Sequence, residues 1–178
     1  MDEIKTLKSS LVYENRWMKV REDKIRRSGG TEGIYGVVDK PDFVAIVPIE
    51  DNMIHLVQQY RYPVKQRYWE IPQGSWEVNP EADHAEVAAG ELREETGLTA
   101  KNLQYVGHLF QAYGYSNQGF HIYLATNFEA GTQQLDVEEE GLITKAFTIE
   151  DFEAMITTGE IKDATTVSAY GLIKLKSS

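Results

Sequence analysis

Apolar runs, turn signals and charged stretches succeed one another along the chain in an order that marks a mixed set of strands and helices. Residues 10–14 and 17–26 read as two strands joined by a short turn at Asn15. Ser28-Gly29-Gly30 breaks that pattern, and an extended run resumes over residues 33–38. Phe43-Val44-Ala45-Ile46-Val47-Pro48-Ile49 is apolar without interruption, which predicts a strand covered on both faces. Asp51-Asn52 is a turn signal, and residues 53–60 return as the hairpin partner. Residues 103–112 and 120–126, rich in β-branched and aromatic side chains, give two further strands, with a shorter candidate at 143–147.

A helix is predicted from about Ala82 to Thr96, with Asp83 near its start and Gly97 placed to stop it. Thr148-x-x-Asp151 is an Asp variant of the capping box and starts a second helix, which carries Phe152, Met155 and Ile156 on one face and ends by Gly159. A third takes Asp163 as its N-cap and carries Val167, Tyr170, Leu172 and Ile173. No break in composition marks a second domain. A boundary is nevertheless expected near Pro41, between a β-rich N-terminal arm (residues 1–40) and a main body (residues 41–178).

Composition narrows the function classes. With 42% hydrophobic residues the chain can bury a core, so disorder is excluded. A net charge of −10 leaves no basic footprint for nucleic acid, though a nucleotide ligand stays open because a metal ion inverts the local sign of an acidic site. No apolar run approaches the roughly 20 residues that span a bilayer, so no membrane partner is expected. Met1-Asp2-Glu3-Ile4-Lys5 lacks a signal-peptide h-region, and a cytoplasmic protein is the expectation. The absence of cysteine excludes disulfides and thiolate-ligated metals.

The first helix holds the chemistry. Glu91, Glu94 and Glu95 fall at i, i+3 and i+4, so three carboxylates crowd one face at the helix C-terminal end, where the macrodipole disfavours anions. A hard divalent cation with oxygen ligands would explain them, magnesium or manganese first. From spacing alone a solvated acidic face explains them as well. The surroundings are more specific. Glu70-Ile71-Pro72-Gln73-Gly74, followed by Gly90-Glu91-Leu92-Arg93-Glu94-Glu95-Thr96-Gly97-Leu98, resembles a Nudix box. The resemblance implies a strand–loop–helix–loop unit in an α/β/α sandwich with mixed sheets. It makes Glu91, Glu94 and Glu95 metal-binding glutamates, puts the Gln73 carbonyl close to the metal and makes Gly74 the loop glycine. Two departures stand out: Glu91 lies 17 positions after Gly74 where the family has fifteen, and Gly90 replaces the family's arginine. The family's isolated glutamate falls on Pro80, with Glu77 or Glu81 as substitutes.

Beyond the box, Tyr13-Glu14-Asn15-x-Trp17, Leu56-Val57-Gln58-Gln59-Tyr60-Arg61-Tyr62-Pro63 and Gly159-Glu160-Ile161-Lys162-Asp163-Ala164-x-Thr166 are similar to ADP-ribose pyrophosphatases and nucleotide-sugar hydrolases. That subgroup cleaves nucleoside-diphosphate-linked compounds to a nucleoside monophosphate and a sugar phosphate. The catalytic candidates are Glu94 and Glu95 with a water-activating carboxylate from Glu138-Glu139-Glu140, either Glu139 or Glu140. The substrate-contacting candidates are Arg61, whose fork suits phosphate oxygens, with Trp17, Glu70, Gly74 and Gln118. Tyr60, Tyr62, Trp69 and Tyr113 could stack on a base or serve in packing, and His55, His84, His108 and His121 show no ligand spacing. The arm is surplus to the core of the main body, and relatives use such an arm to dimerise, so a homodimer is expected. A nucleoside triphosphate pyrophosphohydrolase and a non-catalytic nucleotide sensor remain the alternatives.

Overall fold

The structure, a computed structural model, describes residues 3–76, 79 and 82–177, without the side chain of Glu138. Pro80, Glu77 and Glu81, the positions weighed for the isolated glutamate, therefore lie outside the described residues. The chain divides into two compact units, one running to Asp42 and including Phe110–Gly119, the other formed by Phe43–Leu109 and the chain from Phe120 onward.

In the first unit β1 (Ile4–Glu14), β2 (Lys19–Arg27) and β3 (Glu32–Asp39) form an antiparallel sheet in that order. The Asn15 side chain accepts the N–H groups of Trp17 and Met18, each at 2.9 Å, and this local bond turns β1 into β2. β1 starts well before residue 10. Every one of its residues is exposed, so no apolar alternation marked the first half. The end of β3 is tied to residues 110–119: Val38 N–H donates to the Tyr115 carbonyl at 2.8 Å and Asn117 Nδ2 to Asp39 at 2.9 Å.

The second unit holds β4 (Phe43–Glu50), β5 (Met53–Arg61), β6 (Gln66–Glu70), β7 (Gln73–Gly74), α1 (His84–Thr96), β8 (Leu98–Phe110), β9 (Gly119–Ala130), β10 (Ile143–Thr148), α2 (Ile149–Thr158) and α3 (Ala164–Ser177). Its sheet runs β10-β5-β4-β9-β8, with β6 added on β5 and β7 on β4. β4 and β9 pair in parallel while β5 pairs antiparallel with β4, β6 and β10, so the sheet is mixed. Asp51 and Asn52 take φ of 48° and 61°, the left-handed pair of a type I′ turn, which sets Ile49 opposite Ile54.

Successive residues of β4 face opposite layers. Ala45 and Val47 join Phe152, Met155, Tyr170 and Ile173 of α2 and α3, whereas Val44 and Ile46 join Val87, Ala88 and Leu92 of α1. That alternation makes this unit an α/β/α sandwich, and each fully buried side chain such as Phe152 or Leu92 contributes about 1.5–3 kcal/mol. Within α3, Tyr170 and Ile173 are buried but Val167 is exposed. Among the described residues no helix is long and apolar enough to cross a membrane.

Candidate active site

α1 begins after Asp83, whose carboxylate accepts the Ala85 N–H at 2.7 Å, and ends at Gly97, whose φ of 74° lets its N–H reach the Arg93 carbonyl. Val87, Ala88 and Leu92 anchor the helix on the sheet. The opposite flank turns Glu91 and Glu95, one helical step apart, toward β7. They are 6% and 1% exposed, an unusual depth for carboxylates. The Gln73 N–H donates to Glu95 Oε2 at 3.2 Å. A β-carbon at Gly74 would stand 2.6 Å from the carboxyl carbon of Glu91, so a larger residue there would have to displace that carboxylate from the β7 backbone.

A third carboxylate reaches the pair from a 3-10 turn, Val137–Glu139. Asp136 N–H donates to Glu139 Oε2 at 3.0 Å and Glu139 N–H returns a bond to the Asp136 carbonyl. One oxygen each of Glu91, Glu95 and Glu139 lies within 4.8 Å of the others. Glu140 is outside this group, as is Glu94, which lies 3.8 Å from the Arg93 guanidinium. Burial raises all three carboxyls. It pushes Glu91 up to about 8, helped by the charges of Glu139, Glu94 and Asp136, and holds Glu95 well above the usual range, helped by Glu91, Glu139 and Glu70. Oxygen-only donors that cannot all ionise unaided are the donor set a hard divalent cation requires, so the residues fit a magnesium-type ion.

Beside this group runs a chain of hydrogen bonds. Arg61, at the end of β5, is held by Glu70, with Nε at 3.0 Å and a second nitrogen at 2.8 Å. Glu70 is 2% exposed and its carboxyl is raised by burial against the opposing pull of Arg61. Gln73 Nε2 donates to Glu70 at 3.0 Å and reaches Asp163 at 3.4 Å. Asp163 caps α3 through the Thr166 N–H and accepts its hydroxyl at 2.7 Å, while that hydroxyl oxygen accepts the Ile71 N–H. The segment holding Asp163 and Thr166, read as a helix cap and as part of the resemblance, thus also braces the strand leading into the box, a role that depends on tertiary contact.

Trp17 and Gln118 belong to the first unit. Gln118 is buried, and its side-chain amide donates to the Pro41 carbonyl at 2.8 Å. Trp17 lies under the Arg16 guanidinium at 4.1 Å and borders a cavity of about 260 Å³ with Lys19, Lys40 and Asn117. Trp69 packs edge-on against Phe147, while Tyr60, Tyr62 and Tyr113 are exposed. His84 and His108 pack against His121, at ring separations of 4.1 and 4.9 Å.

Two family models match the chain: the NUDIX domain over residues 40–170, and the nucleoside diphosphate sugar hydrolase N-terminal domain over residues 4–38. An ADP-ribose pyrophosphatase of Mycobacterium tuberculosis is 33% identical over 168 residues, covering 93% of this chain and 81% of that protein. One of Bacillus subtilis is 26% identical over 176 residues, covering 98% and 94%. A crystal structure of an ADP compounds hydrolase superposes with a TM-score of 0.86 at 22% identity, over 98% of this chain and 94% of that one. With the box glutamates on α1 beside β7 and the family model spanning most of its length, this chain belongs to the Nudix family.

Proposed function

We propose that this Nudix diphosphatase hydrolyses the pyrophosphate bond of ADP-ribose or a nucleoside-diphosphate sugar, with magnesium held by Glu91, Glu95 and Glu139, in the cytoplasm and as a homodimer. The observation that carries the chemistry is the group of three carboxylates, two buried on α1 and one half-buried on the 136–139 turn. The substrate class rests on relatives named ADP-ribose pyrophosphatase and on the N-terminal match to nucleoside diphosphate sugar hydrolases. A bound divalent cation would supply charge neutralisation at the diphosphate and a more acidic water. The chain's own residues do the rest. The β7 backbone at Gly74 and the tethered Glu139 hold the carboxylates in place. Glu139 takes the proton of the attacking water as its oxygen adds to one phosphorus. The bridging P–O bond then breaks, and two phosphomonoesters leave. Arg61, on exchanging part of its bond to Glu70 for phosphate oxygens, stabilises the leaving charge. Glu94 adds negative charge next to the group, acting on Glu91.

A panel of ADP-ribose, GDP-mannose, UDP-glucose, NADH and nucleoside triphosphates, with magnesium and chromatographic analysis, tests the reading. Nucleoside monophosphate and sugar phosphate are expected, and inorganic phosphate only after a phosphatase is added. Pyrophosphate from a triphosphate at higher kcat/KM than any diphosphate sugar would overturn it.

The dimer reading is supported by β1. It pairs only with β2 among the described residues, and it exposes Ile4, Leu7, Leu11, Val12 and Tyr13. A long exposed edge strand with that apolar content asks for a cover. Light scattering is expected to return twice 20.2 kDa. The monomer mass at micromolar concentration, or a monomer lacking residues 1–38 that keeps full activity, would count against the arm's role.

A further inference from the structure

Two departures from the family's box have no role in the chemistry above: glycine at position 90, and the longer stretch between Gly74 and Glu91. In the structure Gly90 meets a side chain from that stretch, Trp76. A β-carbon at Gly90 would overlap Cζ2 of the Trp76 indole and stand 3.2 Å from its Cε2 and 3.4 Å from its Cη2. The ring edge thus lies against bare helix backbone, in space that any larger residue at 90 would claim. The rest of the indole packs on the α1-side core. Its main chain is also fixed, since the Trp76 carbonyl accepts the Asn79 N–H at 3.0 Å and the Asn79 carbonyl accepts the Ala82 N–H at 3.1 Å.

The neighbouring contact shows what this anchor controls. Gly74 stands two residues before Trp76, Glu91 one residue after Gly90, and the Glu91 carboxyl lies against Gly74. The Trp76–Gly90 and Gly74–Glu91 contacts are consecutive rungs between one segment and one helix. We infer that Trp76 is a positioning residue that stands in for the family's arginine: seated on Gly90, it holds residues 75–76 against α1 and so sets where Glu91 and Glu95 stand relative to the Gln73–Gly74 backbone. The exchange is chemically unequal. An indole braces by area and shape, whereas an arginine also lends positive charge, so here the carboxylates keep their full demand for a cation.

This inference rests on reading Glu91, Glu95 and Glu139 as cation ligands, so the test measures cation binding directly. Mn2+ binding is followed by electron paramagnetic resonance on the intact protein, beside the cation dependence of ADP-ribose turnover. Trp76→Ala is expected to weaken Mn2+ binding by about ten- to a hundredfold, with kcat recovering at saturating cation and the KM for ADP-ribose little changed. Trp76→Phe should restore part of the affinity. Gly90→Ala should weaken binding in the parent but have no further effect beside Trp76→Ala. Gly90→Arg combined with Trp76→Ala should bind Mn2+ more tightly than Trp76→Ala alone. Should Trp76→Ala lose its cooperative thermal transition, Trp76→Phe and Gly90→Ala carry the same comparison. Unchanged Mn2+ affinity in the Trp76 variants, or strictly additive effects of Trp76→Ala and Gly90→Ala, overturns the inference alone. A parent protein that binds no Mn2+ overturns the cation reading as well.

Discussion

Glu95→Gln is expected to lower kcat by at least about a hundredfold, near 2.7 kcal/mol of lost transition-state stabilisation, while leaving the fold intact or firmer. Glu95 is the most deeply buried carboxylate of the three, and its charge is opposed by Glu91, Glu139 and Glu70. Glutamine keeps the shape and can still accept the Gln73 N–H, but removes a charge that a divalent cation needs. Without the cation that same charge is a liability, so the variant's melting temperature in chelator should match or exceed the parent's. Glu94→Gln is expected to follow in activity, because its carboxylate stands one helical position from Glu95 and acts on Glu91. Near-parental turnover of Glu95→Gln at saturating magnesium would sink the assignment, and a collapse in melting temperature would make its carboxylate structural.

The second expectation concerns pH. Burial and like charges raise Glu91 to about 8 from an ordinary value of 4.5, and Glu95 and Glu139 move the same way. A carboxyl raised on folding contributes stability that is fully present below its unfolded value and is lost as pH climbs to its folded value. In chelator, stability should therefore decline between about pH 4.5 and 8, by an amount of the order of a few kcal/mol. A divalent cation binds the ionised forms and displaces those protons, so it should raise the melting temperature more at pH 8 than at pH 5.5. His55, lowered by burial, loses stability as pH falls through 6.5, but equally with and without cation. The cation-induced increment isolates the carboxylates. An increment equal at both pH values would overturn their coupling to the ion.

Legibility followed physical locality. α1 could be read because Asp83, Gly97 and the spacing of Val87, Ala88 and Leu92 are all local signals, as is the Asp51–Asn52 turn between two apolar strands. β6 and β7 escaped notice because Pro72, which has no N–H to pair, splits them, and their partners are β5 and β4 rather than each other. Glu138, Glu139 and Glu140 are equivalent in sequence. Among the described side chains, the Asp136 tether and the 3-10 turn bring Glu139 to the α1 glutamates. Gly90 looked like a missing arginine, because Trp76 stands fourteen residues away and its packing depends on tertiary contact.

The bond from the Ile71 N–H to the Thr166 hydroxyl spans 95 residues, and the parallel pairing of β4 with β9 begins by joining Phe43 to Phe120. These are high-contact-order closures, whose loop entropy must be met before their contacts stabilise anything. A chain emerging from the ribosome can complete the α1 box, yet it lacks the 136–139 turn and the α3 brace until residues 136–166 have been synthesised. Nascent and C-terminally clipped chains should therefore be hydrolytically silent. Activity then reports completed folding, and any assay of this enzyme also measures how much of the protein is native.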